Sequence, residues 1–111
     1  MPTKETIMRQ LFFFLCIVLF VGVVSAKEVW LDVRTAKEYS EGHIPAAINY
    51  DVLKQDFAAK VSKLSREDSY KVYCKGGKRA AQAVTIMQDN GFKDVTNIGG
   101  YEDAQRVYAN P

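Results

Sequence analysis

Metal-binding side chains are scarce in this sequence of 111 residues. Histidine occurs once, at His43, and cysteine twice, at Cys16 and Cys74. A structural zinc site takes about four ligands, most of them cysteine or histidine. The sequence therefore excludes a multi-cysteine zinc centre, and we expect neither a metal ion nor another cofactor.

An excess of one charge is also missing. Lysine and arginine number 15 against 13 aspartates and glutamates, which gives a formal net charge of +2 at pH 7. Proteins that bind nucleic acids or membrane surfaces usually carry a concentrated positive charge. We therefore expect no nucleic-acid partner.

One apolar run occurs near the N-terminus, at Leu11–Val24, and it is shorter than the roughly 20 residues that cross a bilayer. Lys4 and Arg9 precede it, and Val24-Ser25-Ala26 ends it with small residues. This pattern predicts a signal peptide over residues 1–26 and a periplasmic or otherwise exported protein without stable membrane association. The alternative is an uncleaved segment that tethers the chain to the membrane. Cys16 follows the bulky Leu15, so we do not expect it to carry a lipid.

Residues 27–111 would form one small domain. Apolar runs alternate there with polar helical stretches, which predicts an α/β fold with a mainly parallel central sheet flanked by helices. The strands are predicted at 28–33, 46–49, 69–74 and 92–98, and the longer helices at 53–64, 78–90 and 101–108. A short helix is predicted through Ser40, with Thr35 and Glu38 forming its N-terminal cap.

Cys74 ends the third predicted strand, and a short turn with two glycines joins it to the next helix. Such a turn lets successive N–H groups converge on an anion, and the helix N-terminus adds partial positive charge. Lysine and arginine side chains also surround the thiol, and cationic surroundings favour the nucleophilic thiolate. The plainer alternative is a buried thiol before a tight turn, with solvated lysines around it.

Several motifs in order resemble those of a rhodanese domain. They are Asp32-Val33-Arg34, Glu38-Tyr39, the segment from Gly42 to Asn49, the segment from Cys74 to Arg79, and Gly99-Gly100-Tyr101. The similarity covers nearly all of residues 27–111 and is closest to exported single-domain bacterial thiosulfate sulfurtransferases. In one departure, Tyr101 stands where the family often has tryptophan, and we expect this to affect packing rather than chemistry.

This resemblance implies a sulfur transfer in two steps through a persulfide on Cys74. The thiolate would take the outer sulfur of thiosulfate and release sulfite, and an acceptor such as cyanide, a thiol or a protein would then remove the sulfur. Backbone N–H groups of the loop would hold the persulfide and the departing anion. The residues implied in substrate binding are Lys75, Gly76, Gly77, Lys78, Arg79 and Ala80.

Other motif residues are expected to hold the segments around the active loop in place rather than to contact the substrate. Asp32 and Arg34 would tie a neighbouring loop through hydrogen bonds and an ion pair. We expect His43 to bond to backbone rather than to act as a base, because a thiolate has no proton to lose. Gly99 and Gly100 would form a turn packed against the active loop.

Two other functions stay open at this point. The domain could be a non-enzymatic persulfide carrier or sensor, because the same thiol would serve. It could also be a phosphatase or arsenate reductase, although only four residues separate Cys74 from Arg79 and related phosphatases have five between the two. The tighter loop suits a sulfur atom better than a phosphate group.

Overall fold

The computed structural model of the protein describes residues 3–4 and 26–111. The predicted signal peptide, with the run Leu11–Val24 and Cys16, therefore lies outside the described residues except for positions 3, 4 and 26. Within the described part of the chain, no helix has the length and apolar character needed to cross a membrane.

Over residues 26–111, four parallel strands alternate with four helices, as the alternation of apolar and polar segments predicts. The strands are β1 (Glu28–Asp32), β2 (Ile48–Asn49), β3 (Ser69–Tyr73) and β4 (Val95–Gly99). The helices are α1 (Ala36–Glu41), α2 (Phe57–Val61), α3 (Lys78–Asp89) and α4 (Tyr101–Ala109). The sheet order is β2-β1-β3-β4, and every neighbouring pair is parallel. The carboxyl ends of all four strands therefore meet at one edge of the sheet.

Apolar side chains pack on both faces of this sheet. Alternation along β3 directs Tyr70 and Val72 into one cluster and Tyr73 into the other. The first cluster also holds Cys74 and the buried face of α3, whereas the second holds Trp30 and the buried Ala104 of α4. Since all six of these side chains are at most 5% exposed, the strand that carries the thiol is fixed from both sides.

The helix predicted at 53–64 is wrong in its extent, because only Phe57–Val61 is helical. Asp51 starts a turn instead: its carboxylate accepts the Leu53 N–H at 2.9 Å, and its carbonyl accepts the Lys54 N–H at 3.2 Å. Leu53 is 63% exposed, so no packing offsets this local alternative to a helix. The apolar spacing did not reveal that competition.

Two strands begin later than predicted, whereas β1 and β3 each end one residue earlier than predicted. Strand β4 begins at Val95 rather than at residue 92, because the Phe92 N–H bonds to the Met87 carbonyl at 3.1 Å and closes the end of α3. Strand β2 contains only residues 48–49, because Ala47 N–H bonds to the Ile44 carbonyl at 2.9 Å in a turn. The capping box on α1 is confirmed, with Thr35 and Glu38 bonded reciprocally.

Candidate active site

Cys74 lies directly after β3, at the carboxyl edge of the sheet. The β3–β4 register shifts at Val72/Tyr73, and the Cys74 N–H then bonds to the Gly99 carbonyl at 3.1 Å. The Sγ atom accepts a hydrogen bond from the Gly77 N–H at 2.9 Å. Only 1% of Cys74 is exposed, so the surrounding loop encloses the thiol.

The turn after Cys74 directs one backbone donor, the Gly77 N–H, toward the sulfur. Gly77 has φ 105°, a left-handed conformation that favours glycine, and it immediately precedes helix α3. The first hydrogen bond of the helix runs from the Ala81 N–H to the Gly77 carbonyl at 3.0 Å. The preceding N–H groups, at residues 78–80, have no acceptor within the helix. They form the positive end of α3 beside the thiol.

A cavity of about 350 Å³ lies above this loop. It is lined by Cys74, Lys75, Gly76, Lys78 and Arg79, five of the seven predicted catalytic and substrate-binding residues. Of the other two, Gly77 donates to the sulfur and Ala80 is fully buried in the core. Ala80 can therefore contribute its N–H group but not its side chain.

Arg79 does not extend freely into this cavity but pairs with Glu38 of α1. Its two Nη atoms donate to the two carboxylate oxygens of Glu38 at 2.7 and 3.1 Å. Hydrogen bonding to Arg79, reinforced by Thr35, lowers the pKa of Glu38 to about 2, and the same pairing raises the pKa of Arg79. Both groups are therefore charged at neutral pH. The sequence suggested Glu38 as a helix cap and as part of a family motif, but not as the partner of Arg79.

Asp32 and Arg34 form the expected ion pair at the carboxyl end of β1. Arg34 Nη2 donates to Asp32 at 2.7 Å and to the Gly42 carbonyl at 2.7 Å. Burial opposes the charge of Arg34, but its bonds to Asp32 outweigh this and raise its pKa. The guanidinium lies 4.5 Å from the centre of the Tyr101 ring, and Tyr101 stacks on Tyr73 at 5.9 Å. The pair thus fixes the backbone at Gly42, and neither residue lines the cavity that contains Cys74.

The Gly99–Gly100 turn packs against the active loop, as predicted. Gly76 and Gly100 form an isolated antiparallel bridge, and the Tyr101 N–H bonds to the Lys75 carbonyl at 3.3 Å. A Cβ atom on Gly100 would lie 2.3 Å from that carbonyl oxygen. Glycine is therefore required there by close approach of two backbones.

His43 also makes the expected backbone contact. Its Nδ1 lies 2.8 Å from the Tyr39 carbonyl oxygen, and its ring stacks on the Tyr39 ring at 3.6 Å. Elsewhere, no cluster of three or more His, Cys, Asp or Glu side chains that could hold a metal ion occurs in the described part of the chain. The groups that the structure brings together at Cys74 are a thiol, a backbone donor and cationic side chains.

Comparisons with known proteins agree with this geometry. The family model of the rhodanese-like domain matches residues 23–106. Thiosulfate sulfurtransferase PspE of Escherichia coli is 37% identical over 82 residues, which cover 72% of this chain and 77% of that protein. The chloroplastic thiosulfate sulfurtransferase 16 of Arabidopsis thaliana is 36% identical over 83 residues, covering 65% and 69% of the two chains. A structure of rhodanese with anions from E. coli matches with a TM-score of 0.60 and 33% identity, over 68% of this chain and 89% of that one.

Proposed function

The chain belongs to the rhodanese-like domain family, and we propose that it is a thiosulfate sulfurtransferase with Cys74 as the nucleophile. The observation that carries this proposal is the Gly77 N–H bond to Cys74 Sγ at 2.9 Å, directly before helix α3, whose N-terminus is not capped by a side chain. Donors in that position stabilise negative charge on sulfur both before and after it gains a second sulfur atom. Relatives named thiosulfate sulfurtransferase support the same substrate.

In the first step, the Cys74 thiolate attacks the outer sulfur of thiosulfate. A new S–S bond forms, the old S–S bond breaks, and its electron pair leaves with sulfite, so the persulfide retains one negative charge. Lys75 and Lys78 line the cavity and would attract the dianionic donor. No proton transfer is required in this step, which is consistent with a histidine bound to backbone.

In the second step, a nucleophilic acceptor attacks the outer sulfur of the persulfide. Cyanide would leave as thiocyanate and a thiolate as a new persulfide, and either reaction returns Cys74 as a thiolate. The Gly77 N–H and the N–H groups at the start of α3 would stabilise that leaving thiolate as they stabilised the attacking one. The loop therefore serves both half-reactions with the same donors.

The test is the Cys74→Ser variant, compared with the wild type. We expect thiosulfate to add one sulfur atom to the wild-type mass and cyanide to remove it, with thiocyanate produced at each turnover. Serine preserves the packing but lacks the nucleophilicity of a thiolate, so the variant should fold normally and produce less than about 1% of the wild-type thiocyanate. A variant with substantial transfer would refute the assignment, and rapid persulfide formation with slow turnover in the wild type would favour a carrier.

We further propose that residues 1–26 direct export and are removed after Ala26. The support is the charged start, the short apolar run and the small residues before the cleavage point. Mass spectrometry of the protein expressed with its full sequence tests this proposal, because a processed chain would begin at Lys27. A full-length chain recovered from membranes would instead support the tethered alternative.

A further inference from the structure

Glu38 joins the first helix of the domain to the active loop. It lies at the third position of α1, where its Oε1 accepts the Thr35 N–H at 3.2 Å and the Thr35 hydroxyl at 3.1 Å. The same oxygen accepts the Arg79 Nη1–H at 2.7 Å. The helix cap thus holds the carboxylate in one position, and that carboxylate in turn holds Arg79.

The pairing with Glu38 orients the Arg79 guanidinium without using all of its N–H donors. It uses one hydrogen of each Nη atom, which leaves the Nε–H and the remaining Nη hydrogens of the guanidinium for another anion. Arg79 also lines the Cys74 cavity. The side chains of Glu38 and Arg79 are only 25% and 23% exposed, so the geometry is held in a partly desolvated position.

We propose that Glu38 is a positioning residue for the sulfur donor, acting through Arg79. It fixes the guanidinium so that the edge carrying Nε faces the cavity, where it can bind the sulfonate end of a donor such as thiosulfate. The inference rests on the proposed function for the identity of the donor. Glu38 would thus affect donor binding without touching the reacting atoms, and Arg79 would bind the donor through its Nε edge.

The first test is Glu38→Gln, because glutamine also satisfies a capping box and so preserves α1 while the ion pair is lost. Stopped-flow measurement should show that persulfide formation from thiosulfate slows about tenfold, mainly through weaker donor binding, whereas sulfur transfer to cyanide changes less than about twofold. Glu41→Gln on the same helix removes an equal charge outside the ion pair and should leave both steps unchanged. Faster donor use by Glu38→Gln would overturn the proposal, because it would mean that Glu38 only weakens the cation.

A double-mutant cycle tests whether Glu38 acts through Arg79. Arg79→Ala should slow the donor step at least as much as Glu38→Gln, and adding Glu38→Gln to Arg79→Ala should have no further effect. Additive losses in the double mutant would contradict the proposed path. Thermal unfolding of each variant separates these losses from loss of the fold.

Thiosulfate binding to the Cys74→Ser protein, followed by NMR chemical shifts, separates this inference from the proposed function. Binding requires no sulfur transfer, and adding Glu38→Gln should raise the Kd about tenfold. If wild-type protein forms no persulfide, the proposed function fails while this binding difference still tests the positioning role. An unchanged Kd would refute the positioning role even in an active sulfurtransferase.

Discussion

Lys75 borders three separate cavities around the active loop. One of them contains Cys74, and the other two are lined by Tyr101 together with acidic side chains. The side chain is exposed, so its charge acts through solvent rather than through a fixed bond. Lys75 is therefore suited to attracting anions toward the thiol and not to holding them rigidly.

We predict that Lys75→Ala slows persulfide formation from thiosulfate about three- to tenfold at low ionic strength, and that the difference from wild type shrinks as salt is added. Sulfur transfer to a thiol acceptor with no other charged group should be less affected, because its thiolate carries one negative charge and thiosulfate carries two. Stopped-flow kinetics at several salt concentrations measure this effect. Lys93→Ala is the matched control, since this exposed lysine precedes β4 at the opposite edge of the sheet. Equal, salt-independent losses in both half-reactions would contradict a steering role.

Individual residues differ in how far the sequence could reveal their contacts. The Asp32–Arg34 pair could be predicted because the two side chains are two positions apart at a strand end, and the carboxylate also accepts the Arg34 N–H at 2.9 Å. The Glu38–Arg79 pair could not, because 41 positions separate these residues and their approach depends on how α1 and α3 are placed around the sheet. Composition and periodicity carry no information about that distance.

At the scale of elements, the active loop is held by the turn between β4 and α4. The Gly100 N–H bonds to the Asp103 carboxylate at 2.8 Å, and this caps α4 while Gly100 bridges Gly76. The contact with Gly76 is between backbones, so its geometry has little freedom. A small shift in this turn must therefore move the loop that carries the N–H donors.

We predict that Gly100→Ala lowers sulfur transfer at least tenfold and destabilises the fold by about 1–3 kcal/mol. The added Cβ atom would lie 2.3 Å from the Lys75 carbonyl oxygen and 3.3 Å from the Gly76 Cα atom, so the loop must move away. Thermal unfolding and the thiocyanate assay measure the two effects.

Gly76→Ala provides the control for stability, because its Cβ atom would meet nothing within 4 Å. It should unfold close to the wild-type temperature. If Gly100→Ala kept both full activity and wild-type stability, the turn could not be what fixes the loop.

A helix or strand could be predicted where the spacing of apolar residues and the residues at its ends indicated the same element. Helix α3 is an example: buried Ala80, Ala83 and Met87 share one face, and the helix ends before Gly91 at φ 91°. The segment around Leu53 was not predictable, since the same spacing was compatible with either a helix or the turn that Asp51 stabilises. The shift in register between β3 and β4, which brings the Cys74 N–H to Gly99, is a tertiary feature without a local pattern.

At the scale of the whole molecule, the Glu38–Arg79 pair links stability to pH. The pKa of Glu38 falls from an ordinary 4.5 to about 2 in the folded protein, chiefly through its bond to Arg79. A depressed carboxylate pKa means that the unfolded chain takes up protons first as the pH falls. The stabilisation by Glu38 is therefore complete above about pH 4.5 and is lost as the pH falls toward 2.

We predict that Glu38→Gln is about 1 kcal/mol less stable than wild type at pH 7, as is typical of a partly exposed ion pair, and that this difference shrinks steadily below pH 4.5. Glutamine does not titrate, so near pH 2 the protonated wild type and the variant should be almost equally stable. Urea unfolding at intervals from pH 3 to pH 7 measures the difference directly, with Glu41→Gln as the control for an exposed carboxylate on the same helix. A difference that stayed constant down to pH 3 would mean that Glu38 stabilises the domain through packing. The position of Arg79 would then not depend on the charge of Glu38.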